Sequence, residues 1–248
     1  MPDAGLWRPL VAELERWQTA GRVADFWLRD DDAVEPNAAL DRLLALTGAA
    51  AVPVTLAVVP ALVGKNLAER AAAEAGVTAA VHGWSHENHA PPGEKKQELG
   101  PHRPAETVLA ELGDAKIIVD SLFGALALPM LVPPWNRIDE ELLASLPGLG
   151  FSVLSAFGPA RPGPLKCLNT HVDLMGWKAE RKGKEHAGLV AEIVAQLKAR
   201  LDTGSSEPIG VLTHHLVHDE SAWSFLQGLF EATAEPPACR WLSARDLI

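Results

Sequence analysis

Short β-branched runs alternate with longer segments whose apolar residues recur at helical spacing. This alternation limits the possible folds more than any other feature of the chain. Residues 23–29, 52–59, 77–81, 130–132 and 209–212 read as strands, with weaker candidates at residues 152–154, 166–169 and 241–242. Residues 38–46, 62–75, 105–123, 139–146, 185–201 and 221–232 read as helices; in the fifth, Leu189, Ile193, Leu197 and Leu201 form one stripe. A helix between successive strands lets them pair in parallel, which predicts an α/β sheet, open or closed into a barrel. No repeat or linker divides the chain, so one domain over residues 1–248 is expected.

Composition removes several function classes. Lys and Arg number 22 against 32 Asp and Glu, for a net charge of −10. Such a surface repels phosphates and no local basic patch offsets it, so neither nucleic acid nor an anionic membrane is an expected partner. Cys167 and Cys239 lie far apart without a CxxC spacing and read as two buried thiols. The most apolar run, residues 49–63, is interrupted by Pro53 and Pro60, and a bilayer span needs about 20 apolar residues. The first residues lack the basic and apolar regions of a secretory signal, so a cytoplasmic location is expected.

Four strands stop at unusual chemistry: Asp30-Asp31-Asp32, His82-Gly83-Trp84-Ser85-His86, Pro133-Pro134-Trp135-Asn136-Arg137 and Thr213-His214-His215. In parallel α/β folds the loops after the strands converge, and ligands bind there. Two histidines four apart after a buried strand can clasp one metal ion, whose remaining ligand could be a carboxylate. Three consecutive aspartates repel one another, and a cation offsets that cost; the bland alternative is an acidic cap before the next helix. His214 at a strand end suits a proton donor, while alternation turns His215 to the other face. His89 and His102, in the polar loop of residues 83–104, read as solvated.

In this order, Asp-Asp, His-x-x-Ser-His, Pro-Pro-aromatic and Leu-x-His, the motifs resemble the polysaccharide deacetylase (NodB-homology, carbohydrate esterase 4) family across residues 23–216. The resemblance implies a distorted (β/α) barrel of about seven strands and an Asp-His-His site for a divalent metal, usually zinc. It also implies hydrolysis of an N-acyl or O-acyl group from a small-molecule or oligosaccharide substrate. Carried over, Asp31 is the base, Asp32, His82 and His86 are the metal ligands, and His214 protonates the leaving amine. Asp30 as base with Asp31 as ligand is the alternative register. The backbone N–H of Trp135 faces the oxyanion, and Trp84, Trp135 and Asn136 are expected against the substrate. His171, Asp173 and Trp177 fall where the family keeps an Asp/Trp motif.

The family arginine that orients the base is Val132 here, so Arg137 or Arg29 is expected to supply the charge, with Arg137 taken as catalytic. Without a signal segment, a soluble acylated sugar or sugar-nucleotide precursor is the expected substrate. Two competing readings stand beside this one: a metal-independent, allantoinase-like hydrolase of cyclic amides, and a metal- or carbohydrate-binding relative without turnover. Oligomeric state is left open.

Overall fold

A computed structural model describes residues 4–177, 181–234 and 238–248. The central strands are β1 (Ala24–Ala33), β2 (Val54–Val58), β3 (Val77–His82) and β4 (Ala127–Val132), followed by the two-residue strands β5 (Val153–Leu154), β6 (Lys166–Cys167) and β7 (Val172–Asp173). A small antiparallel pair, β8 (Met175–Gly176) and β9 (Lys182–Gly183), precedes β10 (Ile209–Thr213) and β11 (Cys239–Trp241). The main sheet runs β6-β5-β4-β3-β2-β1-β10-β7, all neighbours parallel, with β11 alongside the start of β1. The expected α/β barrel is therefore present, with nine strands in its sheet where about seven were expected.

Residues 166–173 pair with β5 at one end and with β10 at the other, so the sheet curls round until one stretch of chain serves both edges. The strand is broken between these pairings, and there Trp27 Nε1 donates to the Asn169 carbonyl at 3.1 Å. Gly210 makes this seam possible: a Cβ on it would lie 2.5 Å from both Asn169 O and Trp27 Nε1.

Side chains alternate between two cores. Phe26, Leu28, Val54, Leu56, Val77, Ala79, Ile209 and Val211 pack beneath the helices, whereas Trp27, Ala57, Ala80, Met130 and Val132 fill the barrel lumen. The outer layer includes α1 (Ala4–Thr19), α2 (Ala38–Ala49), α3 (Lys65–Ala72), α4 (Ala105–Phe123), α6 (His186–Thr203) and α7 (Glu220–Thr233); the four-residue helix α5 (Glu140–Leu143) lies between β4 and β5, and the four-residue α8 (Ala244–Leu247) follows β11. Burial of this interleaved apolar surface, at roughly 25 cal/mol per Å², is the main source of stability. Among the described residues, no helix is long and apolar enough to cross a membrane. Cys239 is buried, which pushes its thiol up to about 11, and neither cysteine is in a disulfide.

Candidate active site

β1 does not end before the aspartates, as its sequence suggests. It runs through them to Ala33, because β10 and β2 continue beside it: Asp30 pairs with Thr213 and Leu56, and Ala33 with Val58. The β1–β2 register shifts between Asp30 and Ala33, and Asp32 adopts φ 69°. A regular pleat would send Asp30 and Asp32 to the same face; the bulge instead re-aims Asp32 toward β3. Each aspartate consequently has its own partners.

Asp32 Oδ1 lies 3.2 Å from His82 Nε2 and 3.3 Å from His86 Nε2, and one ligand atom from each of the three residues falls within 4.8 Å of the others. His82 Nδ1–H donates to the Val132 carbonyl at 2.9 Å, so Nε2, turned toward Asp32, is the nitrogen a metal would take in place of the proton it shares with Asp32. One carboxylate and two imidazoles are a donor set that suits zinc or a similar divalent ion. Burial acts to raise the pKa of Asp32, but its hydrogen bond to His82 and the charges of His82, His86 and His214 hold it far below the usual range. Burial acts to lower His82, and the Asp31 charge and the Asp32 hydrogen bond outweigh it and raise it. Burial and the neighbouring His82 charge lower His86.

The loop carrying His86 is organised by Glu98, a fully buried carboxylate that sequence reading missed. Its Oε1 accepts from Ser85 N–H (2.7 Å), Ser85 Oγ–H (3.1 Å) and His86 N–H (3.0 Å), and its Oε2 from Trp84 N–H (3.2 Å). Gly83 permits this approach, since at φ 61° its added Cβ would sit 2.0 Å from Glu98 Oε2. No sequence pattern marks Glu98; it is one glutamate in a polar loop. Strain gathers here as well. Asp32, His86, Trp135 and Asn136 all have positive φ, a conformation shared among the described non-glycine residues only by Ala51 and Arg181.

Asp31 is held by Arg29, two residues earlier on the same strand. The guanidinium reaches Asp31 with Nε at 2.8 Å and Nη2 at 3.0 Å, with both side chains buried. It is anchored by the Ser155 carbonyl (3.0 Å), Ser155 Oγ (2.7 Å) and Asn136 Oδ1 (2.8 Å). Arg137 does not take this place. It donates to the Lys96 carbonyl at 2.8 Å on the exposed side, and the guanidinium that reaches Asp31 is that of Arg29, the other candidate. Val132 is lumen-facing and fully buried, and the charge comes from β1 instead of β4.

The ring of Trp135 stands 4.3 Å from that of His86, with Lys96 Nζ 5.8 Å from the Trp135 centroid. Trp84, expected against the substrate, packs its ring on the helix-side core. His214 leaves the end of β10 with Nδ1 4.0 Å from Asp173 Oδ1 and its ring 4.6 Å from Trp177, whose Nε1–H donates to Asp173 Oδ2 at 2.7 Å. Burial raises the pKa of Asp173 despite His214. His171 turns away from this group: Arg200 Nη2 lies 3.0 Å from its Nε2, and Gly210 N–H donates to its Nδ1 at 3.1 Å. Asp30 faces His215 and Thr213 on the helix side.

The fold and this cluster define an α/β barrel whose strand ends bring together an Asp-His-His donor set, an Arg-braced aspartate and a histidine beside a third aspartate. That barrel is the fold of polysaccharide and peptidoglycan deacetylases. A protein from Mycobacterium smegmatis assigned as a polysaccharide deacetylase is 16% identical, with a TM-score of 0.68 over 92% of this chain and 89% of its own. The peptidoglycan deacetylase PdaC from Bacillus subtilis is 15% identical, with a TM-score of 0.57 over 91% and 90%. A family 4 acetyl xylan esterase from Clostridium thermocellum, solved with a cobalt ion, is 15% identical with a TM-score of 0.55 over 90% and 89%. No family model matches the chain, and no curated protein matches its sequence.

Proposed function

We propose that this chain is a member of the polysaccharide deacetylase superfamily, a metal-dependent hydrolase that removes an acetyl or related acyl group from the nitrogen of a sugar. The observation that carries the reading is the convergence of Asp32, His82 and His86 on one point, beside Asp31 and His214. Proteins with this fold include deacetylases and an acetyl xylan esterase that holds cobalt, which supports both the reaction and the metal.

Asp32, His82 and His86 would hold a divalent cation, which lowers the pKa of a water and polarises the acyl carbonyl. Asp31, kept in place by Arg29, takes the proton from the attacking water. The new C–O bond forms first and turns the carbonyl oxygen into an oxyanion; as that oxyanion collapses the C–N bond breaks and His214 delivers a proton to the departing nitrogen, leaving amine and carboxylic acid. Trp135 contributes its backbone N–H to the developing oxyanion, and its ring, with the side chain of Asn136, borders the substrate.

The test is acetate release from N-acetylated sugars by zinc-loaded protein, compared with Asp31→Asn and His214→Ala. Turnover lost by about 100-fold or more in either variant supports these roles. Equal activity of the variants, or turnover that persists in metal-stripped protein, contradicts them; the latter outcome points to the allantoinase-like reading.

A further inference from the structure

The proposed hydrolysis uses two of the three aspartates. Asp30 is left over, yet its side chain is completely buried and carries three hydrogen bonds. Oδ1 accepts from Thr213 Oγ1–H at 2.7 Å and from His215 N–H at 2.9 Å, while Oδ2 accepts from His215 Nδ1–H. These donors belong to the residues immediately before and after His214. Burying a carboxylate is expensive unless its partners are well placed, and here all of them flank one histidine.

His214 needs such support. The β1–β10 ladder ends with the Asp30–Thr213 pair, and a short 3₁₀ turn begins at His215, so His214 is the hinge between them. Its Nδ1 is buried and, among the described residues, lacks a hydrogen-bond partner, with Asp173 Oδ1 4.0 Å away. Among the described residues no hydrogen bond fixes the direction of that ring; besides the edge of Trp177, the backbone on either side does so.

We propose that Asp30 is a positioning residue for His214, clamping the main chain on both sides of it so that the ring stays aimed at the departing nitrogen. The run of three aspartates is then a division of tasks: Asp30 sets the acid, Asp31 serves as base and Asp32 binds metal. The inference rests on His214 acting as the proton donor.

The test separates substrates by their need for that proton. The zinc-loaded protein is assayed on 4-nitrophenyl acetate, whose phenolate leaves unaided, and on a chitin trisaccharide, whose amine must be protonated. With Asp30→Asn, kcat on the trisaccharide falls by about 10-fold or more while the aryl ester changes by less than about 3-fold, as expected when a displaced acid loses only its own contribution. His214→Ala shows the same selectivity, and adding Asp30→Asn to it costs the trisaccharide nothing further. Thr213→Val, which removes one donor without changing charge, gives a smaller loss of the same kind and carries the test if Asp30→Asn does not fold. In metal-free protein, amide exchange at residues 213–217 accelerates in Asp30→Asn while residues 82–86 are unchanged. Equal losses on both substrates, additive losses in the double variant, or unaltered exchange overturn the positioning role. If His214→Ala itself shows no selectivity, or the wild type hydrolyses neither probe, the proton-donor reading fails and takes this inference with it.

Discussion

Replacing Arg29 by Met removes a guanidinium while keeping most of the apolar length. In the native protein that group is fully buried and makes two charged hydrogen bonds to Asp31, two to Ser155 and one to Asn136. Asp31 is itself only 2% exposed, so the variant strands a carboxylate where water does not replace the lost partner. Breaking a buried pair from one side costs about 3–5 kcal/mol, a large fraction of a typical total of roughly 5–15 kcal/mol. At about 2–4 °C per kcal/mol for a chain of this size, thermal unfolding should shift down by roughly 6–20 °C. Urea unfolding followed by circular dichroism measures the same loss. Adding Asp31→Asn to Arg29→Met removes the orphaned charge and should recover at least about 1 kcal/mol, because deleting both partners is milder than deleting one. A shift below about 2 °C in Arg29→Met, or a further loss in the double variant, would refute the assignment of this pair as the brace of the site.

Other outcomes follow from the same geometry. Glu98→Ala leaves the Trp84, Ser85 and His86 N–H groups without their acceptor, and should weaken zinc affinity about 10–100-fold in a competition titration; unchanged affinity would show that the loop holds His86 without it. Gly83→Ala forces a methyl group into Glu98 and Pro134, so soluble yield and thermal stability should both drop, and a wild-type melting curve would contradict the packing. His171 is held neutral, lowered to about 4 by burial and by the Arg200 charge. The unfolded chain therefore takes up a proton near pH 6.5 that the folded protein refuses, and stability should fall as pH drops from about 6.5 to 4. Urea midpoints for the wild type and His171→Gln should converge in that window; a wild-type slope retained by the variant would assign the effect elsewhere.

The strand ends were legible because the chemistry changes abruptly there, from apolar to polar side chains, although those side chains stay buried. Val81 to His82 and Leu212 to Thr213 mark where apolar strand gives way to polar side chains, and the α/β barrel follows from the alternation of strands and helices around them. β1 was not legible in the same way. Its aspartates look like a turn, and only pairing with β2 and β10 keeps them in the sheet. The bulge that separates Asp31 from Asp32 depends on that pairing, so no local residue type announces it. Arg29 and Arg137 could not be distinguished by sequence distance; the lumen-facing phase of β1 decides for Arg29. Glu98 and Ser155 are ordinary loop residues, and their roles exist only in three dimensions. α1 was missed although Trp7, Leu10, Leu14 and Trp17 are regularly spaced, because Pro9 interrupts the pattern near its start.

Everything proposed for catalysis depends on Asp32, His82 and His86 binding a metal together, and elemental analysis of purified protein addresses that directly. The wild type should retain roughly one zinc or similar divalent ion per chain, and both His82→Ala and Asp32→Ala should lose it while remaining folded. A wild-type protein that binds no metal even after reconstitution, or variants that keep it, would contradict the metal-dependent hydrolase.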